Sequence, residues 1–92
     1  MPKPEIIYLA APYSHQDPAV MEARFQAANH AAAALMRQGY LVFSPISHTH
    51  PIAVLGGLPR DWDYWDRFDR AMLATCSRLV VLMLDGWRVS PG

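Results

Sequence analysis

The chain reads as an α/β domain, a three-layer α/β/α sandwich on a parallel sheet with strand order 2-1-3. Three observations predict it. Two apolar runs, Ile6 to Leu9 and Leu79 to Leu84, have the length and β-branched content of buried parallel strands. A shorter run, Tyr40 to Phe43, lies between them. Segments with helical periodicity separate the runs, so the order is β-α-β-α-β, the pattern of parallel crossovers.

The first strand comes from Ile6-Ile7-Tyr8-Leu9. It opens into Ala10-Ala11-Pro12-Tyr13-Ser14, small residues, a proline and two hydroxyls. In open parallel sheets the loop after the first strand commonly faces the ligand. Asp17-Pro18 then starts a helix, with a capping carboxylate before proline at the first helical position. Met21, Phe25, Ala28, Ala32 and Leu35 follow at spacings of three and four, one apolar face. Gly39 ends the helix.

Ser44 to Arg60 reads as a long loop, from Pro45, Pro51, Pro59 and the pair Gly56-Gly57. A second helix is expected to start near Asp61, with Trp65, Phe68, Met72 and Cys76 as its apolar stripe. Leu79 to Leu84 is apolar throughout and is expected to be covered on both faces, with Asp85-Gly86 stopping it. Right-handed crossovers to either side of the first strand give the order 2-1-3, a flavodoxin- or Rossmann-like arrangement. Its switch point brings Ala10 to Ser14 and Asp85 to Ser90 to one crevice.

The totals narrow the function classes. The chain has 92 residues, enough for one small domain, and just over half of them are apolar. The formal net charge is zero, which gives no electrostatic case for a nucleic acid polymer or an anionic membrane. Cys76 is the single cysteine, so no internal disulfide forms, and with no signal-like segment a cytoplasmic setting is expected. No apolar run reaches the ~18–20 residues of a membrane span.

Several residues stand out chemically. Asp69 on the second helix can reach the rim of the crevice, where a carboxylate orients a nucleophile or moves a proton. The plainer reading, which spacing alone favours, is a solvated face with Asp66 and Asp69 beside Arg67 and Arg70. Tyr8 either hydrogen-bonds a catalytic carboxylate or a sugar, or is a core tyrosine with its hydroxyl at the edge. Tyr13, Ser14 and His15 are phosphate or sugar contacts, or simple turn residues. His48-Thr49-His50 with His15 and Cys76 lacks the spacing of a structural zinc site, and no metal is expected; the histidines fit better as pocket lining. The Gly-rich dinucleotide and P-loop fingerprints and the Gly-x-Ser-x-Gly elbow are all missing from the sequence.

The stretch Ile7-Tyr8-Leu9-Ala10-Ala11-Pro12-Tyr13-Ser14 resembles the opening motif of the nucleoside 2-deoxyribosyltransferase superfamily, closest to a small bacterial branch of it. The likeness runs on through Arg24, Gly39, Phe43-Ser44-Pro45-Ile46, His50-Pro51, Asp69, the strand Leu79 to Leu84, Gly86-Trp87 and Ser90-Pro91-Gly92. It implies a domain that cleaves or transfers the N-glycosidic bond of a 2-deoxynucleoside or its monophosphate through a covalent deoxyribosyl-enzyme, with no cofactor. On this likeness Tyr8 hydrogen-bonds the nucleophile, and Asp69 positions it or handles the proton. Ala10, Ala11, Pro12, Tyr13, Ser14, Arg24, His50, Gly86, Trp87, Ser90 and Gly92 contact substrate, with Ser90 and Gly92 on a loop that holds sugar or phosphate. A homo-oligomer is implied too.

The resemblance also implies a nucleophilic glutamate shortly after the Ser-x-Gly segment, and further strands with their helices. Neither Glu5 nor Glu22 matches that place. The chain is therefore expected to be the N-terminal part of such a domain and inactive by itself. A naturally short ligand-binding remnant is the alternative, and an interaction protein using an apolar edge strand is a third class. The run Leu79 to Leu84 favours truncation, since a bare apolar edge is something natural sheets avoid.

Overall fold

A computed structural model describes residues 4–84 of the chain. The elements are β1 (Ile6–Ala10), α1 (Pro18–Arg37), β2 (Leu41–Phe43), α2 (Pro45–Gly56), α3 (Trp62–Leu73) and β3 (Arg78–Val81). The three strands form one parallel sheet in the order β2-β1-β3. Tyr8 stands opposite Phe43 on one side and Leu79 on the other. The α/β fold and the 2-1-3 order are those the sequence predicts. The expected positions Gly86, Trp87, Ser90 and Gly92, and the turn at Asp85, lie outside the described residues.

Local chemistry accounts for each helix. The Asp17 carboxylate accepts a hydrogen bond from the Ala19 N–H at 2.9 Å, and Pro18 occupies the first turn of α1. The α1 chain leaves its helix through Gly39 at φ +97°, a conformation that favours glycine. Ala28 and Ala32 are buried on the inner face, where their small side chains let α1 approach β2 and α2 closely. At α3 the Asp61 carboxylate caps the Tyr64 N–H at 2.9 Å, and the Trp65 indole N–H donates to the Pro59 carbonyl at 2.8 Å.

The core gathers Ala11, Tyr13, Met21, Ala28 and Ile46, with Phe25 and Leu82 packed against it. Ile7, Tyr8 and Leu9 of the central strand are buried. Tyr8 and Phe43 share one face of the sheet, their rings 5.9 Å apart. Phe68 of α3 reaches that face 6.4 Å from Phe43, so α3 covers the Tyr8 side.

Four expectations are corrected. Residues 45–56 are a helix, not a loop: Pro45 sits at the start of α2, where its missing N–H is no loss, and Gly57 is its left-handed cap at φ +67°. The element order is thus β-α-β-α-α-β. The run Leu79 to Leu84 is not a strand throughout and is not covered on both faces. β3 ends at Val81, and as an outer strand among the described residues it leaves Leu79 at 58% and Val81 at 41% exposure. No residue of α3 is fully buried, and Trp65, Phe68 and Met72 are half-buried. Cys76 is not a buried helix residue; it lies beyond the last turn of α3, part-exposed, with its thiol donating to the Met72 carbonyl at 3.4 Å.

Candidate functional site

At the carboxyl end of β1 lies a cleft that is partly open to solvent. Its floor is the end of the central strand and the residues after it: Tyr8, Ala10, Ala11, Tyr13 and Ser14. Pro45, Ile46 and Thr49 of α2 form one wall. Arg60, Asp61, Trp62, Trp65 and Asp69, at and below the start of α3, form the other. The site thus lies where a parallel sheet of this topology opens between diverging crossovers. The α2 wall exists only because residues 45–56 are helical.

Tyr8 of β1 and Asp69 of α3 are far apart in sequence and meet in this cleft. Oxygen Oδ1 of Asp69 is buried and has no hydrogen-bond partner among the described residues. Burial, then the neighbouring Asp66 charge, pushes the Asp69 carboxyl up to about 6, with His48 opposing the rise. Asp66 itself turns outward to Arg70, at 2.7 Å. Burial also holds the Tyr8 phenol well above the usual tyrosine range, helped by Asp69 and Cys76. Near neutral pH the site therefore offers a protonated phenol beside a carboxyl that changes state within reach of neutrality. That is the poise general acid–base chemistry needs.

The remaining predicted residues divide. Ala10, Ala11, Tyr13 and Ser14 line the cleft. Pro12 is fully buried beneath it. Arg24 lies in a separate groove and holds the loop from behind: its guanidinium donates to the Ser14 carbonyl at 3.1 Å and the Tyr13 carbonyl at 3.4 Å. His50 is also behind the wall, 3% exposed, with Nδ1 2.6 Å from the Tyr13 hydroxyl and Nε2 3.1 Å from Glu22.

Sequence reasoning missed Arg60, Asp61, Trp62, Trp65 and Thr49 as lining residues, and Glu22 as a partner of His50. A signal for the first group was present: the Asp61 cap fixes where α3 begins, and the start of a crossover helix commonly faces the ligand crevice. Nothing local in the sequence links Glu22 to His50, twenty-eight positions apart. Among the described residues, no three of His, Cys, Asp or Glu gather where they could hold a metal ion. None of the described helices is long and apolar enough to cross a membrane.

Fold and cleft together define a small parallel α/β domain with a cleft at the carboxyl end of the central strand. The model of the family described as "Domain of unknown function (DUF1937)" matches residues 5–92, nearly the whole chain, and the protein belongs to that family. No curated protein matches the chain.

Proposed function

We propose that the cleft binds a 2-deoxynucleoside or its monophosphate, and that the domain in its complete form cleaves or transfers the N-glycosidic bond. The observation that carries this reading is Asp69: a carboxyl with a buried oxygen unpartnered among the described residues, poised near pH 6, beside a protonated Tyr8. Breaking an N-glycosidic bond leaves an anionic base unless a proton reaches its nitrogen, and a carboxyl of this acidity can supply one. Trp62 and Trp65 give the cleft aromatic surface against which a base can stack, and Arg60 gives it a cation suited to a phosphate.

The covalent step implied by the resemblance needs a glutamate, and neither glutamate of the 92 residues supplies it. Glu5 precedes β1, at the end of the strand away from the cleft. Glu22 is on α1, engaged by His50 at 3.1 Å and Gln26 at 2.9 Å. Loss of a covalent nucleophile removes several orders of magnitude in rate. The 92-residue chain is therefore expected to bind without appreciable turnover.

Calorimetry with a 2-deoxynucleoside and its monophosphate tests binding. Chromatography after incubation with a second free base tests exchange. Binding that weakens roughly tenfold in Trp62→Ala, with no exchange, is the expected outcome. Absence of binding by either ligand overturns the reading, and exchange at ordinary enzymatic rates overturns the inactivity. The second reading, a non-catalytic nucleotide-binding module, is favoured by the lack of a glutamate lining the cleft among the described residues. Binding without bond cleavage in a chain extended past Gly92 selects it.

A further inference from the structure

Behind the cleft floor three polar side chains from three segments form one line. The Tyr13 hydroxyl lies 2.6 Å from His50 Nδ1, and His50 Nε2 lies 3.1 Å from Glu22 Oε1. A carboxylate only accepts hydrogen bonds, so neutral His50 carries its proton on Nε2 and donates it to Glu22. Nδ1 is then an acceptor, and the Tyr13 hydroxyl is the donor to it. The imidazole cannot swing away, being 3% exposed and stacked on Phe25 with ring centroids 4.4 Å apart.

The two ends of the line face different surroundings. Glu22 is in water, its side chain 54% exposed. Tyr13 is 8% exposed and lines the cleft with Ser14 and Arg60. Burial raises the phenol, the largest effect, so Tyr13 rests protonated; Arg60 pulls it the other way and Glu22 adds to the rise. Packing alone does not call for this arrangement. Phenylalanine at 13 and leucine at 50 would fill the space with no buried polar group to satisfy.

We propose that Tyr13, His50 and Glu22 form a proton relay that makes the Tyr13 hydroxyl a base-activated group of the cleft. The ligand it serves presents an ionisable O–H or N–H, water included. As that bond breaks, its proton passes to the Tyr13 oxygen and the phenolic proton passes to His50 Nδ1. The Nε2 proton stays on His50, whose imidazolium the Glu22 carboxylate stabilises until Nδ1 passes its proton back through Tyr13 to product or solvent. Each bond formed is matched by one broken, and no co-reactant is needed. A hydroxyl, an imidazole in reach and a carboxylate fixing the tautomer are the parts of an activated hydroxyl. The relay goes beyond the glycosidic reading and does not depend on which bond a ligand breaks.

The test needs no substrate. The chain is treated with a benzenesulfonyl fluoride, and labelled tyrosines are mapped by peptide mass spectrometry. In that reaction the tyrosine oxygen bonds to sulfur, fluoride leaves, and the phenolic proton enters the relay. Tyr13 is expected to react roughly tenfold or more faster than Tyr40 and Tyr64, although these are 42% and 49% exposed. Glu22→Gln and His50→Gln should each slow Tyr13 by roughly tenfold or more. Unchanged rates at Tyr40 and Tyr64 report an intact fold. A packing tyrosine reacts in order of exposure, so Tyr13 reacting last overturns the relay, as does a Tyr13 rate indifferent to Glu22→Gln. Side-chain nitrogen NMR of His50 is a second, independent measurement. The Nε2–H tautomer at neutral pH is expected, and the Nδ1–H tautomer overturns the proposal.

Discussion

Asp69 holds a carboxyl oxygen that is buried and unpaired among the described residues, and its pKa is raised to about 6 from an ordinary value of 3.8. That arrangement works against folding. Between pH 3.8 and 6 the folded chain holds the proton more tightly than the unfolded chain, so stability falls as pH rises through this window and stays reduced above it. Allowing for solvent screening of a part-buried group, the penalty at pH 7 is about 1–2 kcal/mol. Asp69→Asn should recover that amount at pH 7 and nothing at pH 3.5, where both states of the wild type are mainly protonated. Urea unfolding at the two pH values checks this; equal stabilisation at both would sink it. Residues that destabilise the fold and line a cleft are where function is kept. The sequence alone could not separate Asp69 from its neighbours. A three-residue step leaves Asp66 and Asp69 only about 60° apart on a helix, so spacing put both on a solvated face. Asp66 instead pairs with Arg70 one turn on, and Asp69 turns to Tyr8.

Among the elements, α2 was the one hidden from sequence reading, and its own punctuation concealed it. Pro45, Pro51 and Gly56-Gly57 look like loop chemistry when taken together. Taken by position, Pro45 starts the helix, Gly57 ends it, and only Pro51 breaks a rule by sitting inside. Apolar residues ring α2, with Ile46 and Ala53 buried while Ile52, Val54 and Leu55 are exposed, so no single stripe marks it. By contrast β1 and α1 were legible because strand hydrophobicity, the Asp17-Pro18 start and the periodic face agree. The two glycines at the end of α2 make opposite predictions. Gly57 has φ +67° and open space around it, so Gly57→Ala should cost about 1 kcal/mol from backbone conformation alone. That corresponds to a fall in Tm of about 4–8 °C for a domain of this size. Gly56 is helical, and an added Cβ would meet only Leu58 Cγ at an ordinary 3.8 Å, so Gly56→Ala should leave Tm unchanged or raise it slightly. Thermal unfolding of the two variants side by side tests the cap. Equal effects would mean that Gly57 is not held in the left-handed region.

For the molecule as a whole, the sheet has a filled centre and bare flanks. β1 is buried, whereas among the described residues β2 and β3 are the outer strands of the sheet. Alternation along the third strand divides its side chains. Val80 and Leu82 turn inward, and Leu82 reaches the core around Tyr13 and Met21. Leu79, Val81 and Met83 turn outward at 58%, 41% and 69% exposure. These three apolar residues lie on one face next to an open strand, which is the combination that natural edges blunt with charge, proline or a bulge. Arg78 puts one charge at the start of β3, but neither a charge nor a proline occurs between Leu79 and Leu84. Self-association through this flank is therefore the expected outcome, with a second copy covering what α3 leaves exposed. Light scattering over a range of concentrations should show the 92-residue chain growing beyond monomer mass. Val81→Lys places a charge at the middle of the stripe, opposite Ala10, where a half-exposed side chain has room to reach water. The variant should remain folded and monomeric at concentrations where the wild type associates. A wild-type chain that stays monomeric throughout, or a variant that associates equally, would remove the flank as the contact and leave β3 as an edge that the domain tolerates bare.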